Sequence, residues 1–399
     1  MRDFEGRNYV NGEWKATADM YTKVNPATGK AQGAFPLSGK SEVNQALISA
    51  RNAFKSWKKM SRFVRSDYMN KVAQLIERDK KKLATIISLE TGKNYNESIA
   101  EVNEALHMAQ FAFGSGRYSH GEAVSSEIQE KDSYMLRKPK GVIAIVTPFN
   151  FPLAIGMFWN AAPALVEGNT IVIKPSEDAP MSTQAAVEIY AEAGIPRGVI
   201  NLVHGDGATG DLLVRGDCDH VCFTGSADVG QHIRKVAAES WHKTTSCELG
   251  SKSACIIFDD VEMDLAIEAA VASAFKLSGQ RCVSSGRMIV QRGVYDEFCK
   301  RFVEEASKLK TGNPFKSMLG TSGCPDGMVW EELVPDEDIY YGPIINEQGF
   351  AKIRFMNSLV ASDPKAEILL SPTYTGKQGT YYSTPMVYKR EWTDCDAGF

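Results

Sequence analysis

Between residues 141 and 250 strand and helix signatures alternate with short connections, a pattern that few folds can satisfy. Val142–Thr147 predicts a strand, followed by a helical pattern near 155–167. Thr170–Lys174 predicts a second strand, with a helix near 181–193. Val199–Val203, His220–Thr224 and Lys243–Cys247 continue the series, with helices near 208–214 and 228–239. Strands joined by helical crossovers specify an α/β fold with a doubly wound parallel sheet. Such sheets bind ligands outside the carboxyl ends of their strands, so the strand list is also a map of a site.

The residues at those ends carry chemistry. Thr147-Pro148-Phe149-Asn150-Phe151-Pro152 is a rigid turn presenting one carboxamide, and Lys174-Pro175-Ser176-Glu177 brings an ammonium and a carboxylate. Phe223-Thr224-Gly225-Ser226 leads into a helix, and Glu248-Leu249-Gly250 ends the last strand. Two glycine signals compete for a dinucleotide. Gly205-Asp206-Gly207-Ala208-Thr209-Gly210 fits the G-x-G-x-x-G spacing after a strand. Gly225 to Gly230 also follows a strand and opens a helix, with Ser226 able to donate to a phosphate oxygen. The second is preferred as the phosphate seat, and the first, with Gly207, is placed near an adenine end.

Ahead of this region, Asn11-Gly12 and Asn25-Pro26-Ala27-Thr28-Gly29 signal turns between extended runs. Val43, Leu47, Ala50, Phe54 and Trp57 share one helical face, as do Val64, Tyr68, Val72, Leu75 and Ile76. A third helix pattern runs from about Glu97 to Phe113, and Lys80-Lys81-Lys82 reads as a solvated helix face. From Gly116 to Lys140 the chain turns polar and partly alternating, which predicts an extended hairpin or arm.

A net charge of -4 gives no footprint for nucleic acid or for an anionic membrane surface. The most apolar region, Gly141 to Trp159, carries two prolines and an asparagine and reads as buried strand and turn, not as a membrane span. The first residues lack the apolar core of a secretory signal. The eight cysteines show no C-x-x-C pairing, so neither zinc nor a redox pair is indicated, and reduced thiols in the cytoplasm are expected. One of them stands apart. Leu277-Ser-Gly-Gln-Arg-Cys282-Val-Ser-Ser-Gly286 holds a cysteine among small and polar residues just after a helical pattern, a setting that can keep a thiol exposed on a rigid frame. The competing reading is a buried cysteine behaving as a small hydrophobe.

Taken together, Pro148-Phe149-Asn150-Phe151-Pro152, Lys174-Pro175-Ser176-Glu177, Phe223-Thr224-Gly225-Ser226, Glu248-Leu249-Gly250 and Gly279-Gln280-Arg281-Cys282 resemble the aldehyde dehydrogenase superfamily, in family order. The resemblance implies a dinucleotide-binding domain from residues 1–118 and 141–250, a bridging arm at 119–140, and a catalytic domain from 251 to 399. It implies homodimers or homotetramers joined through the arm, and a small-molecule aldehyde as substrate.

It also implies roles. An aldehyde expels hydride poorly until a nucleophile adds to it, and Cys282 is the expected nucleophile. An ordinary thiol is only about 3% thiolate at pH 7, so the site must activate it. The Asn150 amide and the Cys282 N–H are the expected donors to the resulting oxyanion, and Glu248 the base that activates water against a thioester. Lys174 and Glu177 match the family's ribose ligands. A carboxylate there disfavours a 2′-phosphate, so NAD is expected, with NADP also possible. Thr147, Pro148, Phe149, Ser176, Gly207, Phe223, Thr224, Gly225, Ser226, Leu249 and Gly250 complete the expected cofactor contacts.

Four features depart from the family pattern. Ser251 stands where a second glycine usually follows, which is expected to stiffen or shift the turn under Glu248. Phe149 replaces the commoner tryptophan. Lys316 to Tyr341 reads as an inserted surface loop, and the chain stops at Phe399, before the family's Glu-Ile-Phe-Gly-Pro segment that supplies a further cofactor clamp. Two other readings therefore stand beside aldehyde oxidation to the acid: acyl transfer to coenzyme A, and a truncated relative that binds nucleotide or serves as an assembly partner. Arg281 fits either an anionic substrate tail or a structural salt bridge.

Overall fold

The computed structural model describes residues 4–118, 120–316, 333–377 and 379–390. Short strands β1 (Phe4–Glu5), β2 (Asn8–Val10), β3 (Glu13–Lys15), β4 (Met20–Val24) and β5 (Ala31–Pro36) come first. Helices α1 (Lys40–Trp57), α2 (Arg62–Arg78), α3 (Lys80–Thr91) and α4 (Tyr95–Ser115) follow. An antiparallel hairpin of β6 (Gly121–Ser125) and β7 (Asp132–Leu136) projects next, exposed over nearly its whole length, as the polar alternation predicts.

The alternating region then builds β8 (Val142–Val146), a π-helical segment at Ile155–Ala161 running into α5 (Ala162–Val166), β9 (Thr170–Lys174), α6 (Met181–Glu192), β10 (Ile200–Leu202), α7 (Gly207–Arg215), β11 (His220–Gly225), α8 (Ala227–Ala238) and β12 (Thr244–Leu249). These strands pair in parallel in the order β12-β11-β8-β9-β10, which makes β8 and β11 the pair at which the winding reverses. The β2–β3 hairpin adds two antiparallel strands beyond β10, its turn made by Asn11 (φ 55°) and Gly12 (φ 78°). The sequence marks that turn but not its membership of the main sheet.

Burial explains the strand patterns. Every residue of β9 is buried, because helices cover both faces of a central parallel strand, and its Ile171, Val172 and Ile173 are each worth about 1.5–3 kcal/mol on leaving water. By contrast β12 alternates exposed and half-buried residues, as an edge strand with one open face does. In α1 the stripe Val43, Leu47, Ala50 and Trp57 is buried as expected, with Phe54 half-buried. The α2 stripe is rotated from its predicted position. Val64 faces solvent, and Arg65 is buried instead, donating from Nε to the Val166 carbonyl at 2.8 Å and from Nη1 to those of Trp57 and Met60. Periodicity misses this because a guanidinium that satisfies helix-end carbonyls can take a core position. Lys80-Lys81-Lys82 opens a separate helix, α3, whose later turns are almost wholly buried.

From residue 251 onward come β13 (Ala254–Ile257), α9 (Met263–Phe275), a 3-10 turn at Lys276–Gly279, β14 (Arg287–Val290), α10 (Tyr295–Ser307), α11 (Glu347–Ser362), β15 (Ala366–Leu370), β16 (Tyr374–Lys377), β17 (Thr380–Ser383) and β18 (Val387–Arg390). Strands β13 and β14 pair in parallel, with α9 and α10 packed through Ile267, Ala270, Phe298 and Phe302. Of the expected 316–341 insertion, residues 317–332 lie outside the described residues. Its far flank is not a surface loop: Leu333 packs with Phe315 and Leu89, and Tyr341 is 2% exposed. Among the described residues no helix is long and apolar enough to cross a membrane.

One close approach joins the two halves. A Cβ on Gly92, at φ 73° after α3, would lie 2.5 Å from Pro343, and one on Gly342 would lie 1.7 Å from the Gly92 carbonyl. Only glycine at both positions lets these backbones touch. Through this contact the 342–345 segment is braced against the α3–α4 corner, and it in turn supports the cysteine loop.

Candidate active site

The three expected catalytic residues and all the expected cofactor contacts line one cleft of about 550 Å³ at the carboxyl ends of β8, β9, β11 and β12. After β8, the Thr147 N–H bonds to the Lys174 carbonyl at 3.1 Å, and the chain turns through Pro148 and Asn150 into the π-helical segment. Gly156 permits that turn: a Cβ there would meet Thr147 Cγ2 at 2.2 Å. Asn150, 8% exposed, donates from Nδ2 to the Gln280 carbonyl at 2.9 Å. An amide nitrogen carries two hydrogens, so one remains for a ligand.

A buried ion pair holds this turn from behind. Lys93 Nζ lies 2.6 Å from Glu101 Oε2, with the two side chains 1% and 0% exposed. The ammonium also donates to the Asn150 carbonyl at 2.7 Å and sits 4.0 Å from the centre of the Phe151 ring. The other Glu101 oxygen accepts the Leu153 and Ala154 N–H groups at 2.8 and 3.1 Å. Sequence reasoning missed both residues. The available signal was a lysine and a glutamate flanking the start of α4, without the pairing that only the fold reveals.

After β9, Lys174 is 3% exposed and donates to the Pro175 and Gly205 carbonyls at 2.6 and 2.8 Å, with Glu177 Oε2 at 3.5 Å. Burial lowers its pKa, and the Glu177 charge opposes that shift. The lysine thus ties the 174–177 turn to the glycine-rich 205–210 turn. The two glycine signals are also told apart. Asp206 caps α7 with its own carboxylate, accepting from Ala208 and Thr209 N–H at 2.9 and 3.2 Å, so that helix start already holds an anion. At α8 the cap is the neutral Ser226 hydroxyl, 3.4 Å from Val229 N–H, so no carboxylate caps this end, although Asp228 stands in its first turn. Between α7 and α8 lie Val214, Val229 and Ile233, an apolar slot absent from the sequence reading, with His232 and Asp211 hydrogen-bonded at its mouth at 2.7 Å. Thr147 Oγ1 is buried without a hydrogen-bond partner among the described residues, a polar group facing an empty requirement.

β11 and β12 run further than predicted, so Thr224 pairs with Glu248 and Gly225 with Leu249 in register, and the carboxylate is carried by the penultimate residue of an edge strand. Cys282 is half-buried across the cleft. Its loop begins with three left-handed residues, Leu277, Ser278 and Gly279, at φ 53°, 56° and 73°. Leu and Ser hold that conformation at a cost, offset by hydrogen bonds from Leu277 N–H to Glu97 Oε2 and from Ser278 Oγ to the Gly342 carbonyl. Gln280 then locks the loop, donating to the Pro343 carbonyl and accepting from Ile345 N–H at 3.0 Å. Arg281 lines the cleft, but its Nη2 donates to the Ala272 and Ser273 carbonyls at the end of α9. Its Nε is buried without a hydrogen-bond partner among the described residues, so the guanidinium is only partly engaged. Cys282 is thus half-buried at the wall of the cleft and not enclosed in a core.

A doubly wound α/β protein with a thiol, a carboxylate and a carboxamide gathered at the reversal of its sheet is a narrow class. The sequence profile of the Aldehyde dehydrogenase family matches residues 14–394, and the chain belongs to that family. It is 36% identical over 313 residues to betaine aldehyde dehydrogenase of Bacillus subtilis (strain 168), covering 77% of this chain and 64% of that protein. It is 33% identical over 366 residues to the mitochondrial succinate-semialdehyde dehydrogenase of Oryza sativa subsp. japonica, covering 90% and 65%. The chain therefore spans just under two thirds of the length of these curated relatives. The crystal structure of betaine aldehyde dehydrogenase from Staphylococcus aureus in complex with NAD+ superposes with a TM-score of 0.85 at 29% identity, over 96% of this chain and 73% of that one.

Proposed function

We propose that this chain oxidises an aldehyde to its carboxylic acid with a nicotinamide dinucleotide, NAD in preference to NADP, as hydride acceptor. The observation that carries the reading is the bond from Asn150 to Gln280, which sets the carboxamide two residues from Cys282 at the mouth of the cleft. The residues fit the cofactor. The neutral cap of α8 suits a pyrophosphate, the Val214–Val229–Ile233 slot suits an adenine, and Lys174 with Glu177 stands where ribose hydroxyls would be held. The relative crystallised with NAD+ supports the choice of dinucleotide. When bound, the nicotinamide takes up the hydride.

The chain's own residues do the rest. Cys282, as its thiolate, adds through Sγ to the aldehyde carbon, forming a C–S bond as the carbonyl π electrons move to oxygen. The free N–H of Asn150 and the backbone N–H of Cys282 donate to that oxygen, and preorganised donors of this kind are worth about 2.7–4 kcal/mol each. As hydride leaves, the oxygen lone pair re-forms the C=O double bond and a thioester remains on Cys282. Glu248 removes a proton from water, the hydroxide attacks the thioester, and the C–S bond breaks with Cys282 leaving as thiolate. The balance is aldehyde, NAD+ and water giving acid, NADH and a proton.

Residues 1–118 and 141–250 serve as the dinucleotide-binding part, 251–399 as the catalytic part, and the exposed β6–β7 hairpin, with Val124, Tyr134 and Leu136 outward, as an arm for a homodimer or homotetramer. A cytoplasmic setting belongs to the same proposal. The two relatives named above are called after a cationic and an anionic aldehyde, at 36% and 33% identity, so overall similarity does not select a substrate charge. Replacing Cys282→Ser is expected to abolish NADH formation from aldehyde, without coenzyme A present, while dinucleotide binding stays within about twofold by titration calorimetry. Near-normal turnover in that variant would sink the assignment.

A further inference from the structure

Ser251 directly follows Glu248-Leu249-Gly250, and its hydroxyl donates to the carbonyl oxygen of Cys282 at 2.6 Å. A hydroxyl has one hydrogen, so in the 2.6 Å contact between Ser251 Oγ and Ser253 Oγ the donor must be Ser253. The Ser253 N–H also reaches Ser251 Oγ at 3.3 Å. The single hydrogen and both lone pairs of Ser251 are thus committed. The bonds run in one direction, from Ser253 through Ser251 to Cys282, each polarising the next.

On the other side of the thiol, the Gln280 carbonyl is held by Asn150. The carbonyls at 280 and 282 are therefore pinned by side chains from two different strand ends. Peptide planes are rigid and each residue has only two soft dihedrals, so pinning both carbonyls restricts the backbone of Arg281 and Cys282 together. That restriction sets the direction of the Cys282 N–H and of the Cα–Cβ bond that carries the sulfur. Because Ser251 lies three residues past Glu248, it also links the carboxylate's strand end to the cysteine turn.

We propose that Ser251 is a positioning residue that holds the Cys282 peptide so that its thiol and N–H converge on one carbonyl group. The proposal rests on the reading of Cys282 as nucleophile. The test compares Ser251→Ala and Ser251→Thr with the parent chain, using propanal and NAD for turnover and hydrogen–deuterium exchange of a peptide spanning 280–286 for order. Loss of one hydrogen bond predicts a fall in kcat of about three- to tenfold in Ser251→Ala, with KM for NAD within about twofold. Exchange in 280–286 rises while that of β8 is unchanged, and Ser251→Thr, which keeps the hydroxyl, restores both. A kcat in Ser251→Ala within about twofold of the parent, a Thr variant no better than Ala, or unaltered exchange overturns the proposal. If the parent chain forms no NADH, the dehydrogenase reading falls, and the exchange comparison alone decides whether Ser251 holds the turn.

Discussion

Removing the ammonium of Lys93 should do more damage than removing any exposed charge on this protein. Lys93→Met keeps the length of the side chain but leaves Glu101, fully enclosed, with no cation, and the Asn150 carbonyl with no donor. Breaking a buried pair from one side costs about 3–5 kcal/mol, since the remaining charge stays out of water unpaired. Glu101 keeps its two backbone N–H donors at Leu153 and Ala154, which places the expectation at the lower end, about 3 kcal/mol. Glu101→Gln strands the lysine in the same way. The double variant removes both charges while the glutamine oxygen can still accept those N–H groups, so its cost should fall short of the summed single costs by about 2 kcal/mol or more. Urea unfolding of the three variants at pH 7 measures these differences. A Lys93→Met cost below about 1 kcal/mol, or single costs that add within about 0.5 kcal/mol, would refute the argument. Because the pair anchors the Asn150 turn, kcat of folded Lys93→Met should also fall by about tenfold or more.

The contrast between Lys93 and Lys174 shows what a sequence can carry. Lys174 was legible because it ends a β-branched run whose strand character fixes its place on the rim, and strand ends in a doubly wound sheet have one meaning. The same logic placed Glu248 and the Ser226 cap, each one residue from a strand terminus, and Asn150, in the turn four residues past the end of β8. Cys282 follows no strand of that sheet, and only the family resemblance brought it to the cleft. Lys93 and Glu101 lie eight residues apart around a helix start, and their partners are backbone atoms near residue 150, a contact that local pattern cannot encode. Arg65 failed for a related reason. Hydropathy assigns arginine to solvent, whereas here carbonyls from two helix ends made the interior polar enough to receive it. The role of Ser251 was half visible. The sequence flagged an altered turn, but which atom its hydroxyl would meet depended on how the 277–282 loop is braced by Gly342 and Ile345.

Two further perturbations test the chemistry and the core. Glu248→Gln should leave hydride transfer within about threefold but slow thioester hydrolysis by about 10²–10⁴-fold. Rapid mixing should then show a burst of about one NADH per Cys282, and a variant with a normal steady state and no burst would remove Glu248 from the base role. The last concerns His204, which is 0% exposed, with Nε2 3.2 Å from Gln184 Oε1. Burial, with the Lys174 charge as a smaller cause, holds its pKa down to about 3. The unfolded chain binds a proton at this position below about 6.5, whereas the folded chain does not until about 3. Stability carried by the neutral imidazole is therefore complete above the unfolded pKa and is lost as pH falls from there toward 3, by about 2 kcal/mol between pH 7 and pH 5. Glu90, held up to about 7 by burial, acts in the opposite direction over the same range, but it does so in both proteins when wild type is compared with His204→Gln. The stability difference between the two should consequently shrink by about 2 kcal/mol from pH 7 to pH 5 in urea unfolding. A difference that stays constant would mean that the folded protein protonates His204 as readily as the unfolded chain does.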